Sequence, residues 1–502
     1  MQHDQPLEQI GSQEQVPLAN TQSDNRDNIR ASLRKSALIR KRKEAILTWT
    51  NLSMEVTVKE KAGFLRYDKK QKQILENLNG YAKSGECLAI IGGSGAGKSS
   101  FMNLLADRVE LNKDVKVSGE VKVNGQKMSY EKYKNVIGFV MQADIFLEHL
   151  TVREYFKFAI DLRSTGKTWE QRQDLLENAI SMMKLEKAQN NYVGGVFRKG
   201  ISGGEKKRLN IGFELLGDPS IVFLDEPTSG LDSYTSFMII TLLRQIAVDN
   251  NIVVVYTIHQ PSIEIYNLFD NLMILDKGRN IYFGKAKDAI DYYAQMDYPV
   301  PPSTNPTNHF ITIALRGPER NQAFYDKYNE FILPTILPVV QTQDSYEPFD
   351  VVNTFVGSFA QYSILLVRAF KNFVRNPMAF VIRLVQIAFL VVVFCMLYFR
   401  MSDDFNNPIN VINREGALFF LSINLFISYF QNYLLTCELT SPRGTRVLLQ
   451  GVQLRTVRRP AVPDVEAEHR AALHLHLRGG LRGHHLLYRR LQPERRPLLQ
   501  PQ

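Results

Sequence analysis

The chain has 502 residues, a net charge of +10 and three widely spaced cysteines, Cys87, Cys395 and Cys437. That length suits about two to four domains, and such cysteines exclude a disulfide framework and a zinc pattern. Residues 441–502 hold 12 Arg, no Lys and four acids, or +8, which leaves +2 for the other 440 residues and no electrostatic case for nucleic acid.

Residues 1–45 are polar, lack the apolar core of a secretory signal and end in Arg40-Lys41-Arg42-Lys43. They read as a disordered cytosolic tail whose basic run is solvated or touches an anionic membrane surface. Residues 46–60 alternate apolar and polar positions, as at Met54, Val56 and Val58, and predict strands that open a domain.

Cys87-Leu88-Ala89-Ile90-Ile91 is an apolar run that predicts a buried strand. Gly92-Gly93-Ser94-Gly95-Ala96-Gly97-Lys98-Ser99 follows and fits G-x-x-x-x-G-K-[ST]. A helix begins around Ser100. Strand, glycine loop and helix aim backbone N–H groups and a helix N-terminus at phosphate. Lys98 suits the β- and γ-phosphates of ATP, and Ser99 suits Mg²⁺.

Further along, Gly138-Phe139-Val140-Met141-Gln142 reads as a strand ending at a Gln, with a helix opening near Leu150. After a phosphate loop, such a Gln reaches Mg²⁺ and the attacking water. Ser202-Gly203-Gly204 begins another helix and forms a second anion-binding turn. One nucleotide does not need two cradles. Two copies arranged head to tail do, each closing its turn over the other's ATP.

Ile221-Val222-Phe223-Leu224 predicts a buried parallel strand that ends in Asp225 and Glu226. Asp225 suits the Mg²⁺ coordination shell, and Glu226 suits a general base acting on water. Ile252 to Ile258 predicts another buried strand ending in His259, placed to meet a γ-phosphate.

In this order the motifs resemble the nucleotide-binding domain of ATP-binding cassette (ABC) transporters, over about residues 46–310. The loop at 92–99, Gln142, the signature at 201–205, the acids at 225–226, the turn at 229–232 and His259 carry the resemblance. Glu205 after Ser-Gly-Gly, and Ile258-His259-Gln260-Pro261-Ser262, point to the G or White type. The resemblance implies an α/β P-loop fold, ATP and Mg²⁺ as cofactors, and a half-transporter that pairs with a second half. Gln142 and His259 then sense the γ-phosphate, and Ser202, Gly203 and Gly204 act on the partner's ATP. Tyr67 is a candidate for stacking on adenine.

Residues 311–357 read as a connecting region with a helix near 320–332. Phe359 to Val374 reads as an amphipathic helix along the cytosolic membrane face. Met378–Phe399 and Gly416–Thr436 are long and apolar enough for two spans. The basic residues before the first span put its start in the cytosol. Together with the resemblance, this describes a multi-pass membrane protein with a cytosolic nucleotide-binding domain, in contact with membrane lipid and moving an unidentified hydrophobic substrate, read as export.

The pattern implies four more spans, and residues 441–502 do not supply them. This tail lacks Ile, Phe, Met, Asn, Lys, Trp and Cys. It reads as translation in a shifted frame from near Thr440, with a natural basic tail as the alternative. A truncated non-transporting ATP-binding fragment or regulatory partner of a full-length half, and a soluble ABC ATPase, are the competing functions.

Overall fold

The computed structural model describes residues 44–426 apart from 62–66, 110–113, 134, 145, 196–197, 315–317, 342–345, 348, 350–355, 399–411 and 425. All described residues fall in one compact unit, 1–453. Of the tail expected at 1–45, residues 1–43 lie outside the described residues, as do the tail at 441–502 and most of the second expected span. Ala45, by contrast, is buried and its N–H donates to Ser84 Oγ at 3.0 Å, so the folded domain begins before Ile46.

The elements run β1 (Ile46–Lys61), β2 (Tyr67–Lys83), β3 (Cys87–Gly92), α1 (Lys98–Leu105), β4 (Val115–Val123), β5 (Gln126–Lys127) and β6 (Ile137–Val140). Then come α2 (Val152–Arg163), α3 (Trp169–Met182), α4 (Gly203–Leu215), β7 (Ile221–Leu224), α5 (Ser233–Asn250) and β8 (Val253–Thr257). The chain continues through β9 (Asn271–Asp276), β10 (Arg279–Lys285), α6 (Asp288–Gln295), α7 (Pro306–Ala314), α8 (Pro318–Lys327), α9 (Leu333–Gln341), α10 (Ser358–Val374) and α11 (Pro377–Tyr398).

The central sheet has the order β10-β9-β3-β8-β7-β6. Its strands are parallel except for β10, which pairs antiparallel with β9 at the edge. Strands covered on both faces read as near-continuous apolar runs. Thus β3, β6, β7 and β8 are buried throughout. Successive side chains enter opposite cores, as the two-residue strand period requires. Cys87, Ala89 and Ile91 join one hydrophobic cluster, and Leu88 and Ile90 join the other. A second, antiparallel sheet, β2-β1-β4-β5, lies against the face that holds Leu88 and Ile90.

Helices α2 and α3 lie within the helical insert expected near 150–200. Each opens with a complete capping box, Thr151 with Glu154 and Thr168 with Gln171. The stretch read as a connecting region packs on the nucleotide-binding core. Tyr328, Ile336 and Val340 are buried in the cluster that includes Trp49. The Tyr328 hydroxyl accepts a hydrogen bond from Asn280 Nδ2 at 2.8 Å, and Asn321 Nδ2 donates to Asp276 at 2.6 Å.

Helix α10 docks on α2. Lys371 and Arg375 converge on Glu154, with Arg375 Nη1 2.6 Å and Lys371 Nζ 3.1 Å from its carboxylate. The outer face of α10 exposes Phe359, Tyr362, Leu366, Phe370 and Val374. Helix α11 has 22 residues, with side chains described at 381 and 384–396. Among the described residues no helix is long and apolar enough to cross a membrane. The span expected at 378–399 therefore rests on the sequence, and that at 416–436 is described only as helix at 412–424 and at 426.

Candidate nucleotide site

Parallel strands deliver their carboxyl ends to one edge of a sheet, where doubly wound α/β folds bind ligands. Here β3 ends in the glycine loop, β8 leads to His259, β7 ends at Asp225 and Glu226, and β6 leads to Gln142. The order β3-β8-β7-β6 makes these four strand ends a continuous row. Residues separated by up to 167 sequence positions share it because the sheet is parallel.

The loop from Gly92 to Ser99 wraps the start of α1. Gly97 caps that helix with φ 97°, in the left-handed region that favours glycine. A Cβ there would sit 2.8 Å from Leu75 Cδ2. Ser94 and Gly95 are exposed, Gly93, Ser99 and Ser100 are partly exposed, and Ala96 is buried.

The Lys98 ammonium lies inside the loop and donates to the carbonyls of Gly92 at 2.9 Å and Gly93 at 3.0 Å. Burial pulls its pKa below the ordinary lysine range, and the carboxylates of Glu226 and Asp225 oppose that pull.

Ser99 Oγ donates to Asp225 Oδ1 at 3.1 Å. Thr257 Oγ1 donates to the same oxygen at 2.7 Å and accepts from the Glu226 N–H at 2.8 Å. This buried hydroxyl fixes both acids, and the sequence reading missed it. A Thr among Val and Tyr in a fully buried strand was the available signal. Glu226 has φ 45°, unusual for a residue with a side chain. Gln142 Nε2 donates to Glu226 Oε2 at 2.6 Å. His259 is exposed just beyond β8.

The oxygen donors Ser99, Asp225 and Gln142 are hard ligands of the kind Mg²⁺ takes. Gln142 donates through nitrogen, so its amide oxygen stays available as an acceptor.

Ser202 caps α4 through a capping box with Glu205. Glu205 Oε2 accepts from the Ser202 N–H at 2.8 Å. Ser202 and Gly203 are exposed, whereas Gly204 is buried against Thr235. The hydrogen bonds of Ser202 are thus made within its own turn. The side chain of Tyr67 lies outside those described.

This arrangement defines a P-loop ATPase domain of the cassette type. Residues 75–229 match the ABC transporter family, and residues 259–337 and 360–446 match two ABC-2 type transporter families. The chain belongs to the ABC transporter family, with a nucleotide-binding cassette followed by membrane-domain sequence of the ABC-2 type.

Among its relatives is the rat broad substrate specificity ATP-binding cassette transporter ABCG2. It is 34% identical over 403 residues, which are 73% of this chain and 60% of that protein. Another is ABC transporter G family member 22 of Dictyostelium discoideum, 31% identical over 411 residues, 78% of this chain and 63% of that protein. The chain thus spans about 60% of the length of these relatives. Among solved structures it is similar to a dimeric, post-hydrolysis ATP-binding cassette, MJ0796, bound to ADP and Pi. That match has a TM-score of 0.38 and 25% identity, and covers 48% of this chain and 98% of that one.

Proposed function

We propose that this chain is the ATP-hydrolysing half of a G-type transporter, which pairs with a second half and couples hydrolysis to movement of a hydrophobic substrate across a membrane. The observation that carries this reading is the row of strand ends, in which Ser99 touches Asp225 and Gln142 touches Glu226.

In this reading the loop N–H groups and Lys98 bind the β- and γ-phosphates of ATP. Ser99, Asp225 and Gln142 hold Mg²⁺, which neutralises phosphate charge when bound. Gln142 occupies Glu226 Oε2, so Oε1 is the oxygen left to take the proton of the attacking water. Thr257 keeps the carboxylate from moving by fixing its backbone. His259 meets the γ-phosphate. Ser202 and Gly203 are exposed and can close on ATP held by a second copy, while Gly204, buried beneath them, completes the turn.

Membrane insertion is part of the same reading. Residues Leu384, Val385, Ile387, Phe389 and Met396 on α11 expose apolar side chains that water does not favour. The α11 backbone has 22 residues and is about 33 Å long, and the span itself rests on the apolar sequence at 378–399. The loop, Gln142, the acids and His259 then belong to a cytosolic domain. The test is phosphate release from ATP by the full chain in carbonate-washed membranes. Release that needs Mg²⁺ and disappears in Glu226→Gln supports the reading. A chain found wholly in the wash would instead be a soluble ATPase.

A second reading has its own observation. The tail at 441–502 lacks seven residue types and carries 12 Arg. If those residues are out of frame, this polypeptide binds ATP without forming a substrate path. Sequencing the transcript across codons 430–460 in all three frames decides between them.

A further inference from the structure

Lys207 is a buried cation on α4, only 2% exposed, five residues beyond Ser202. Burying a charge is expensive unless every donor finds a partner. Its ammonium forms an ion pair with Asp144 Oδ1 at 2.9 Å. It also donates to the Gln142 carbonyl at 3.1 Å and makes a longer contact with the Met141 carbonyl at 3.5 Å. These use all three ammonium hydrogens. Asn210 Nδ2, one turn further along α4, donates to the same Asp144 oxygen at 2.9 Å. An apolar side chain would fill the same volume at lower desolvation cost. What the ammonium adds is a grip on the backbone of Gln142, whose side chain meets Glu226.

We infer that Lys207 is a positioning residue that sets the place of Gln142 against Glu226 and ties it mechanically to the signature turn at Ser202. This rests on the ATPase reading above. Ser202 and Lys207 sit on one rigid helical arm, about 7.5 Å apart along its axis. A shift of the turn on meeting a second copy's nucleotide is therefore transmitted to the Gln142 carbonyl. Each site then hydrolyses ATP at full rate only when its own signature turn is engaged.

The experiment is steady-state hydrolysis by the full chain in membranes. Lys207→Met keeps the aliphatic stem and loses the three donors. Its kcat should fall roughly tenfold to hundredfold, with KM for ATP within about twofold. In a Gln142→Ala background the same substitution should cost less than about twofold, because the positioned group is gone. An equal loss in both backgrounds, or a change confined to KM, overturns the proposal. Asp144→Asn keeps shape and removes the countercharge. It should reproduce the fall in kcat, and it replaces Lys207→Met if that variant does not fold.

Amide hydrogen exchange separates this proposal from the ATPase reading. Either variant should raise exchange at 141–144 at least about tenfold, whether or not the parent hydrolyses ATP. Unchanged exchange there overturns the proposal by itself, whereas a parent without phosphate release overturns only the ATPase reading.

Discussion

Gln142 and Glu226 lie 84 positions apart in the chain, yet the Gln142 amide donates to the Glu226 carboxylate at 2.6 Å. The contact exists because β6 and β7 are parallel neighbours in register, Val140 opposite Leu224. Each residue lies two positions beyond its strand, so they meet across the same edge. A bond from the Gln142 amide holds one carboxylate oxygen still. That is the state a general base needs before water arrives.

Glu226→Gln keeps the size of the side chain and removes its basicity. Steady-state hydrolysis should fall by roughly 10²–10⁴-fold. ATP binding, measured by fluorescence titration, should stay within about twofold, because Lys98 and the loop are untouched. Undiminished turnover would remove Glu226 from its role.

Thr257→Val is nearly isosteric and removes the hydroxyl that serves both acids. The Glu226 N–H then loses this acceptor, and Asp225 Oδ1 loses one of its two hydroxyl partners among the described residues and keeps the Ser99 one. A buried group left unsatisfied costs about 1–3 kcal/mol. Thermal melting of the purified chain should show that loss, and phosphate release should drop with it. Thr257→Ser should restore both, since the hydroxyl returns.

Glu154 joins α2 to α10, and its charge state sets the strength of that joint. Burial pushes its carboxyl up, but hydrogen bonds from Arg375, the Thr151 N–H and Lys371 outweigh burial and hold it at about 2, against an ordinary value of 4.5. A carboxyl lowered in the folded chain contributes stability above its unfolded value and loses it as pH falls through the folded one. The joint should therefore be at full strength above 4.5 and weaken progressively toward 2. Hydrogen exchange across α10, taken relative to the intrinsic rate at each pH, should rise in the parent over that window. In Glu154→Gln it should already be high at neutral pH.

Gly204→Ala tests the packing under the signature turn. The new Cβ would collide with the Thr235 methyl and push the start of α4 away from α5. Overpacking of this kind costs about 1–3 kcal/mol. The melting temperature should fall while nucleotide titration of the loop is little changed. Adding Thr235→Ser removes the methyl and keeps the hydroxyl that donates to Asp232 at 2.7 Å. The double variant should recover most of the lost stability.

The sequence alone determined the local machinery. A glycine loop after an apolar run, two acids ending another and a Ser-Gly-Gly turn before a helix are each set by neighbouring residues. Backbone conformation and burial on both faces leave few alternatives for such segments. Helix starts were legible for the same reason, since Thr151 with Glu154 and Ser202 with Glu205 close boxes three residues long.

Tertiary structure alone decided which of these parts meet. The strand order β3-β8-β7-β6 brings Ser99 to Asp225 and Gln142 to Glu226, and no local pattern encodes that order. It made Thr257 and Lys207 matter, because a hydroxyl or an ammonium acquires a role only once burial denies it water. It also packed Tyr328, Ile336 and Val340 into the core from a stretch that reads as a connector. Their apolar faces are ordinary in sequence, and only the covering of β1 and β2 gives them a partner.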